Sequence, residues 1–258
     1  MPAADPCAVF GDPKYRPPGF LEKLREALTG AVRPLLCLQA EITSRCLGGC
    51  AYCPHDSREE IWKSRHMRPE TFASLWPVLR RAQRAHLQGW GEPFLHPHFF
   101  EFAAFARKAG ARVSTTSSGA IMSEELAADI IASGMDAVAF SLAGTDAETN
   151  SIRQKIPFER VRESARFLRE RIARAGHGPE IHIAYILLAD RMEAAAKLPG
   201  LMSDFGADMC VVSTMDYIPD PSLAKLAIMP EDGEKIARAR RILEKAAAEA
   251  EAADRFLY

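Results

Sequence analysis

The sequence predicts an α/β protein built from parallel strands that alternate with helices. From Pro34 onward, short apolar segments alternate with longer amphipathic segments, which is the pattern of repeated β/α units. Residues that begin or end helices stand at the expected positions between these segments. At 258 residues the chain is long enough to bury one large core, so we expect one main domain.

Six segments are predicted to form strands. Each is short, apolar and rich in β-branched or small residues. They cover residues 35–42, 85–89, 112–116, 136–142, 180–188 and 208–213. Because useful loops of parallel α/β sheets lie at the carboxyl ends of the strands, we expect the functional residues there.

Helices are predicted between the strands. Ser123 and Gly134 are suited to begin and end one of them, and Pro230 is predicted to open the last. Pro77 lies inside an amphipathic stretch, so a kink or break is expected there. The predicted helices cover residues 69–84, 98–109, 123–133, 157–174, 191–205 and 230–255, and a shorter one covers about 19–29.

Composition excludes some classes of partner. The chain is 48% apolar and 26% charged with a formal net charge of −1, so charge does not favour binding to nucleic acid or to an anionic membrane. No apolar run is long enough for a membrane helix, and the first residues lack the pattern of a secretory signal. We expect a cytoplasmic protein with no nucleic-acid or membrane partner.

Three of the six cysteines lie close together directly after the first predicted strand. Cys46, Cys50 and Cys53 are separated by three and two residues, and Gly48 and Gly49 make the loop between them flexible. Thiolates at such spacing favour zinc or an iron-sulfur cluster rather than disulfides. A closed zinc site needs a fourth ligand, which His55 or Cys210 would have to supply. Cys37 and Cys210 lie within predicted strands, so we expect them to be buried.

The Cys-x3-Cys-x2-Cys spacing, with the aromatic Tyr52 before the last cysteine, resembles the hallmark of the radical S-adenosylmethionine (SAM) superfamily. The resemblance extends from about Leu35 to Ser213. It implies a partial (β/α)6 TIM-like barrel and a [4Fe-4S] cluster held by Cys46, Cys50 and Cys53, with SAM bound to the remaining iron. It also implies reductive cleavage of SAM to a 5'-deoxyadenosyl radical, which abstracts hydrogen from a substrate, with electrons supplied by a flavodoxin or ferredoxin.

Other segments are similar to SAM-contacting elements of that superfamily. Residues 88–93, Gln-Gly-Trp-Gly-Glu-Pro, resemble its Gly-Gly-Glu-Pro turn, which holds the methionyl amine. Residues 115–119 and 140–144 resemble its Thr-Asn-Gly and Ser-Leu-Asp-Gly elements, with Ser118 in place of Asn and Ala143 in place of Asp. The loop at 148–153 resembles one that carries an arginine toward the SAM carboxylate. The resulting candidate cofactor-binding residues are Tyr52, Gly91, Glu92, Pro93, Ser118, Ser141 and Arg153.

The resemblance divides the chain into three regions. Residues 1–34 form an arm with five prolines among its first 18 residues and the short helix, residues 35–215 form the partial barrel, and residues 216–258 form a linker and the last helix. The resemblance is strongest to members that mature peptides or build cofactors, so a peptide or a small cofactor precursor is the expected substrate. Many such members have a further cysteine group after the barrel, and this sequence ends at Tyr258 without one, which leaves a minimal enzyme or a truncated chain.

Two other functions stay open from the residues alone. One is a zinc-binding α/β module without catalytic activity, and the other is a phosphate-handling barrel enzyme with incidental cysteines. The sequence identifies no general acid, general base or substrate ligand.

Overall fold

We analysed a computed structural model of the chain that describes residues 35–57, 60–215, 217–218 and 220–258. The predicted N-terminal arm and the helix at about 19–29 lie outside the described residues. No helix in the described ranges is long and apolar enough to span a membrane.

Seven parallel strands form one curled sheet, in the order β1-β3-β4-β5-β7-β8-β9. A separate antiparallel pair joins β2 and β6. The bounds are Leu35–Gln39 (β1), Gly49–Cys50 (β2), Ala82–His86 (β3), Arg112–Ser117 (β4), Ala137–Leu142 (β5), Arg153–Gln154 (β6), Glu180–Leu187 (β7), Met209–Thr214 (β8) and Phe256–Leu257 (β9). The sheet is an open half-barrel, which confirms the predicted fold class.

Helices surround the outer face of this half-barrel. They are Pro54–Ser57 (α1), Pro69–Ala73 (α2), Trp76–Leu79 (α3), Phe99–Lys108 (α4), Glu124–Ser133 (α5), Phe158–Ala175 (α6), Leu198–Phe205 (α7) and Gly233–Glu251 (α8). Short 3₁₀ segments cover Pro93–Leu95, Ala189–Lys197 and Pro221–Leu226. The core lies between strand residues such as Phe140 and Ile183 and helix residues such as Leu168 and Met202, all fully buried.

The predicted helix caps around α5 are confirmed. The Ser123 hydroxyl accepts a hydrogen bond from the Leu126 amide at 3.2 Å, and Gly134 ends the helix with a positive φ of 63°. Side-chain caps of this kind satisfy backbone amides that have no partner within the helix. The local sequence therefore determines both ends of α5.

The break expected near Pro77 is confirmed, but the predicted helix at 69–84 is wrong in extent. The chain forms two short helices instead, and the second begins at Trp76 with Pro77 in its first turn. Proline lacks an amide hydrogen and fits only the first turn, so a new helix begins there rather than a kinked one continuing. Because α3 ends at Leu79, the second sheet strand covers Ala82–His86, earlier than the predicted 85–89.

The C-terminal end also differs from its prediction. The last helix begins at Gly233 after Asp232, not at Pro230, because the Asp232 carboxylate accepts the Met229 amide at 3.0 Å and forms a turn there. The chain then reverses at Asp254, with φ of 55°, and residues 256–257 form β9 beside β8. This seventh strand was not predicted.

The inner face of the half-barrel carries buried polar residues. The Nδ1 atom of His86 on β3 is 2.9 Å from the Ser114 hydroxyl on β4, and its Nε2 atom is 3.3 Å from the Thr116 hydroxyl. These bonds satisfy a ring that burial would otherwise leave without partners.

Candidate functional site

The three clustered cysteines lie in one loop at the carboxyl end of β1. Cys46 precedes β2, Cys50 lies within β2, and Cys53 precedes α1; all three are free thiols and partly buried. The Gly48 amide donates to the Cys46 sulfur at 3.3 Å, and the Cys53 amide donates to the Cys50 carbonyl at 2.8 Å. The loop is therefore folded by its own hydrogen bonds.

A second segment, residues 152–156, fixes this loop through the β2–β6 pair. Cys50 pairs with Arg153 in the β2–β6 ladder, and the Ala51 amide donates to the Ile152 carbonyl at 3.2 Å. At Gly48 a Cβ atom would lie 2.6 Å from a side-chain carbon of Ile156, so only glycine fits there without displacing that side chain. The cysteine loop and residues 152–156 thus form one unit.

Burial changes the acidity of the loop thiols. It raises the pKa of Cys46, and it raises the pKa of Cys53 to about 11, with the nearby thiols adding to the shift. Without a metal these thiols are protonated near neutral pH, and a bound metal replaces the protons because only thiolates are good ligands.

The turn at 89–93 contacts the backbone that leads into the cysteine loop. The Glu92 amide donates to the Arg45 carbonyl at 2.7 Å, and the Trp90 amide donates to the Glu41 carboxylate at 2.7 Å. A Cβ atom on Gly91 would lie 2.2 Å from the Thr43 carbonyl oxygen, far too close for any side chain. The glycine is therefore required for this close approach of two backbone segments.

The carboxylate of Glu92 joins the ends of β3 and β4. Its Oε1 accepts the Ser117 hydroxyl at 2.9 Å and, at 3.4 Å, the Phe94 amide, while its Oε2 accepts the Ser118 amide at 2.7 Å. Only 2% of Glu92 is exposed, and burial raises the pKa of its carboxyl. The side chain thus already has several protein partners.

Three other residues predicted to bind SAM follow or lie within neighbouring strands of the sheet. Ser118 directly follows β4, is buried, and its hydroxyl accepts the Ala120 amide at 3.3 Å. Pro93 is buried and begins the 3₁₀ segment. Ser141 lies within β5 and is partly buried, beside Ala184 in the register of β7. Pro93 and Ser118 follow β3 and β4, and Ser141 lies near the carboxyl end of β5, as expected for functional residues of a parallel sheet.

Arg153 is the buried cation of the site. It is 5% exposed, and its guanidinium lies close to Cys50, to the Tyr52 phenol and to Glu92. Burial raises the pKa of Tyr52, which contacts Cys50 and is thus a neutral phenol. The Nε and Nη1 atoms of Arg153 are buried without a hydrogen-bond partner among the described residues. A guanidinium with spare donors can bind an anion that enters the site.

Two residues that contribute to the site were not predicted. Glu41 holds the Trp90 amide, and Asn150 accepts the Ala143 amide at 2.9 Å through its Oδ1 atom. Asn150 is 1% exposed, and its Nδ2 atom has no partner in the described part of the chain. The only signal in the sequence was their polar character beside strand ends, which many turn residues share.

His96 is held in place by hydrogen bonds through both of its ring nitrogens. Its Nδ1 atom accepts the His98 amide at 3.0 Å, so its Nε2 atom carries the hydrogen and donates to the Met67 carbonyl at 2.9 Å. Cys210 is fully buried in β8, as predicted, whereas Cys37 in β1 is only partly buried.

The donor chemistry of the loop fits an iron-sulfur cluster that is bound through three corners. Three free thiols within eight residues supply soft ligands, and the Gly48 amide already donates to one of the sulfurs. Across the described ranges, no three His, Cys, Asp or Glu side chains converge on a position for a single metal ion. The unpartnered guanidinium nitrogens of Arg153 fit the carboxylate of an amino-acid ligand beside the loop.

Comparisons with known proteins agree with this geometry. The profile of the Radical SAM superfamily matches residues 40–187. The chain is 26% identical over 192 residues to the PqqA peptide cyclase of Streptomyces rochei. The alignment covers 74% of this chain and 51% of the cyclase. It is 23% identical over 187 residues to the tungsten-containing aldehyde ferredoxin oxidoreductase cofactor-modifying protein of Pyrococcus furiosus. That alignment covers 69% of this chain and 51% of the Pyrococcus protein.

Solved structures show the same fold. Streptococcus suis SuiB bound to S-adenosylmethionine superposes with a TM-score of 0.69 at 14% identity, covering 91% of this chain and 52% of SuiB. The AdoMet-bound anSMEcpe superposes with a TM-score of 0.64 at 20% identity, covering 87% of this chain and 61% of anSMEcpe. The chain spans about half the length of the curated relatives named above. Because the profile matches more than half of the sequence, the chain belongs to the radical SAM superfamily.

Proposed function

We propose that this protein cleaves SAM reductively at a [4Fe-4S] cluster and uses the product radical to abstract hydrogen from a peptide or a cofactor precursor. The observation that carries the proposal is the arrangement of three free cysteines in one loop, paired through β2 and β6 with a buried arginine that has spare donors. When bound, the cluster supplies the electron that breaks the carbon–sulfur bond of SAM.

Each residue of the site has a separate task in this proposal. Cys46, Cys50 and Cys53 hold three irons, and Arg153 binds the SAM carboxylate with its unpartnered nitrogens. Gly91 and Glu92 belong to a wall that positions backbone carbonyls for the methionyl amine. The walls around SAM are completed by four further residues: Pro93, Ser118, Ser141 and Tyr52.

The substrate class is supported by the relatives. SuiB has been solved with its precursor peptide SuiA, anSMEcpe has been solved with the Kp18Cys peptide, and another relative is a PqqA peptide cyclase. The cofactor-modifying protein and an AdoMet-dependent heme synthase of Methanosarcina barkeri, 26% identical over 132 residues, support a cofactor precursor instead. Both classes contain C–H bonds that only a strong oxidant such as a carbon radical can activate.

The reaction needs a one-electron donor, for which we propose a flavodoxin or ferredoxin. We also place the protein in the cytoplasm, where the reducing compartment keeps thiols such as Cys46, Cys50 and Cys53 free for metal.

Anaerobic reconstitution of the wild-type chain tests the proposal. We expect about four iron and about four sulfide per chain, as in a [4Fe-4S] cluster, and dithionite-dependent formation of 5'-deoxyadenosine from SAM. About one zinc per chain without SAM cleavage would contradict it and favour the zinc-binding module.

A further inference from the structure

A cleft of about 620 Å³ opens beside the cysteine loop. Its lining includes Glu41–Ser44 after β1, Pro54 after Cys53, and Tyr217, which follows β8. The cleft therefore lies at the mouth of the half-barrel, between the ends of its first strand and of β8. Its volume is in the range of sites that bind ligands in proteins.

The segment from Ile61 to Met67 forms the remaining lining, and it is firmly attached. His66 forms a β-bridge with Thr43, and the Met67 amide donates to the Ile42 carbonyl at 2.7 Å. The Trp62 indole donates to the Ser44 carbonyl at 2.9 Å. The cleft is thus a preformed feature next to the cysteine loop.

Large apolar side chains are exposed in the cleft and beside it. Ile61 is 69% exposed and Tyr217 is 42% exposed, and Trp90, whose ring lies 6.2 Å from that of Tyr217, is 44% exposed. Exposed aromatic and aliphatic residues that lie together in a concave site mark a surface that binds a partner.

The charges in the cleft are mostly positive. Lys63 and Arg65 are exposed, and neither side chain forms an ion pair with any residue that the structure describes. Among the described residues of the lining only Glu41 is acidic, and one of its carboxylate oxygens already accepts the Trp90 amide. An occupant with carboxylates would complement these charges.

We propose that this cleft binds the substrate as a peptide segment in which an apolar side chain lies beside acidic side chains. The apolar side chain contacts Ile61 and Tyr217, and the carboxylates face Lys63 and Arg65. This inference rests on the proposed function, because it assigns the peptide class to the same enzyme. The cleft is open to solvent rather than enclosed, which fits an extended chain.

Short fluorescein-labelled peptides test the inference on the reconstituted protein with SAM present. All peptides share a Gly- and Ser-rich frame. Three of them contain one phenylalanine, flanked by aspartates, by asparagines or by lysines. In a fourth, the phenylalanine of the aspartate peptide is replaced by serine. By anisotropy we expect the aspartate peptide to bind about tenfold more tightly than the lysine peptide, and replacing phenylalanine to weaken binding several-fold, as for complementary charges and one apolar anchor. Equal affinity across the series, or no binding, overturns the proposal.

Matched variants locate the binding. Arg65→Gln and Arg65→Glu should weaken binding of the aspartate peptide progressively, by about tenfold for the charge reversal. Arg68→Glu reverses an equally exposed charge three residues away, outside the cleft, and should leave the affinity within about twofold. Ile61→Ser should weaken binding, whereas Met229→Ser, an exposed apolar residue elsewhere, should not. If both members of a pair behave alike, the cleft is not the binding site.

Peptide-independent formation of 5'-deoxyadenosine by the wild-type protein separates the two hypotheses. If SAM is cleaved but the peptides do not discriminate by charge, the inference about the cleft fails and the proposed function stands. If SAM is not cleaved and no cluster assembles, the proposed function itself fails.

Discussion

Glu92 and Arg153 are both buried charged residues at the mouth of the half-barrel, yet their surroundings differ. The Glu92 carboxylate accepts hydrogen bonds from Ser117, Ser118 and Phe94, whereas two nitrogens of Arg153 have no partner among the described residues. A buried polar group that is satisfied by the protein stabilises the fold, and one with spare donors costs stability until a ligand arrives. This difference supports the proposals that Glu92 positions the strand ends and that Arg153 binds a ligand.

Replacing Glu92 should have the largest effect on stability. Glu92→Leu removes the acceptor of the Ser117 hydroxyl hydrogen and of the Ser118 amide, both buried, which we expect to lower the free energy of unfolding by about 4 kcal/mol. Denaturant unfolding of the apoprotein measures the change. A loss below about 1 kcal/mol would show that the carboxylate does not join the ends of β3 and β4.

His86 provides a reference for a buried titratable group on the inner face of the sheet. Burial lowers its pKa from an ordinary 6.5 to about 4, with His182 adding to the shift. The stability from the neutral ring is fully present above pH 6.5 and is lost as the pH falls toward 4, because the unfolded state then binds the additional proton. This loss amounts to about 2.5 kcal/mol at pH 4.5.

Unfolding of the wild type and of His86→Gln at pH 7.5 and 4.5 checks this expectation. The variant should lose less stability on acidification than the wild type, since its side chain does not titrate. An identical loss in both proteins would show that the environment of His86 does not disfavour its protonation.

Replacing Arg153 should affect SAM binding more than stability, unlike replacing Glu92, which should mainly affect stability. We expect Arg153→Gln to weaken SAM binding by about 30-fold, or about 2 kcal/mol, because it removes a charge-assisted contact to the carboxylate. Its effect on the stability of the apoprotein should be small, since a buried cation with unpartnered nitrogens is itself costly.

Equilibrium binding of SAM to the reconstituted protein and unfolding of the apoprotein give the two quantities. Arg153→Lys is the matched control, because it retains the charge without the planar donor pair and should recover only part of the affinity. If Arg153→Gln destabilises the apoprotein as much as Glu92→Leu does while leaving SAM affinity unchanged, the two roles are assigned the wrong way round.

The features that the sequence predicted correctly depend on local patterns. The family resemblance carried by the cysteine spacing, the cap at Ser123 and the apolar strands each require only neighbouring residues. Features that depend on distant segments were missed. The strand Phe256–Leu257 is too short to show a pattern and exists because β8 leaves an edge available.

The same limit applies to the site. The motif around Gly91 and Glu92 was recognisable, but the bonds from Glu92 to residues 117 and 118 depend on how β3 and β4 pair. Likewise, only the folded β2–β6 pair places Arg153 beside Cys50. The cleft lined by Lys63, Arg65 and Tyr217 joins segments about 150 residues apart in the chain and has no counterpart in any local motif.

The most direct test of the account compares two cysteine variants after anaerobic reconstitution. Cys50→Ala removes a proposed cluster ligand, and Cys210→Ala removes a thiol that is buried in β8. The account predicts that Cys50→Ala loses nearly all of the roughly four irons and forms no 5'-deoxyadenosine, whereas Cys210→Ala keeps both. Full iron content and SAM cleavage in Cys50→Ala would contradict it.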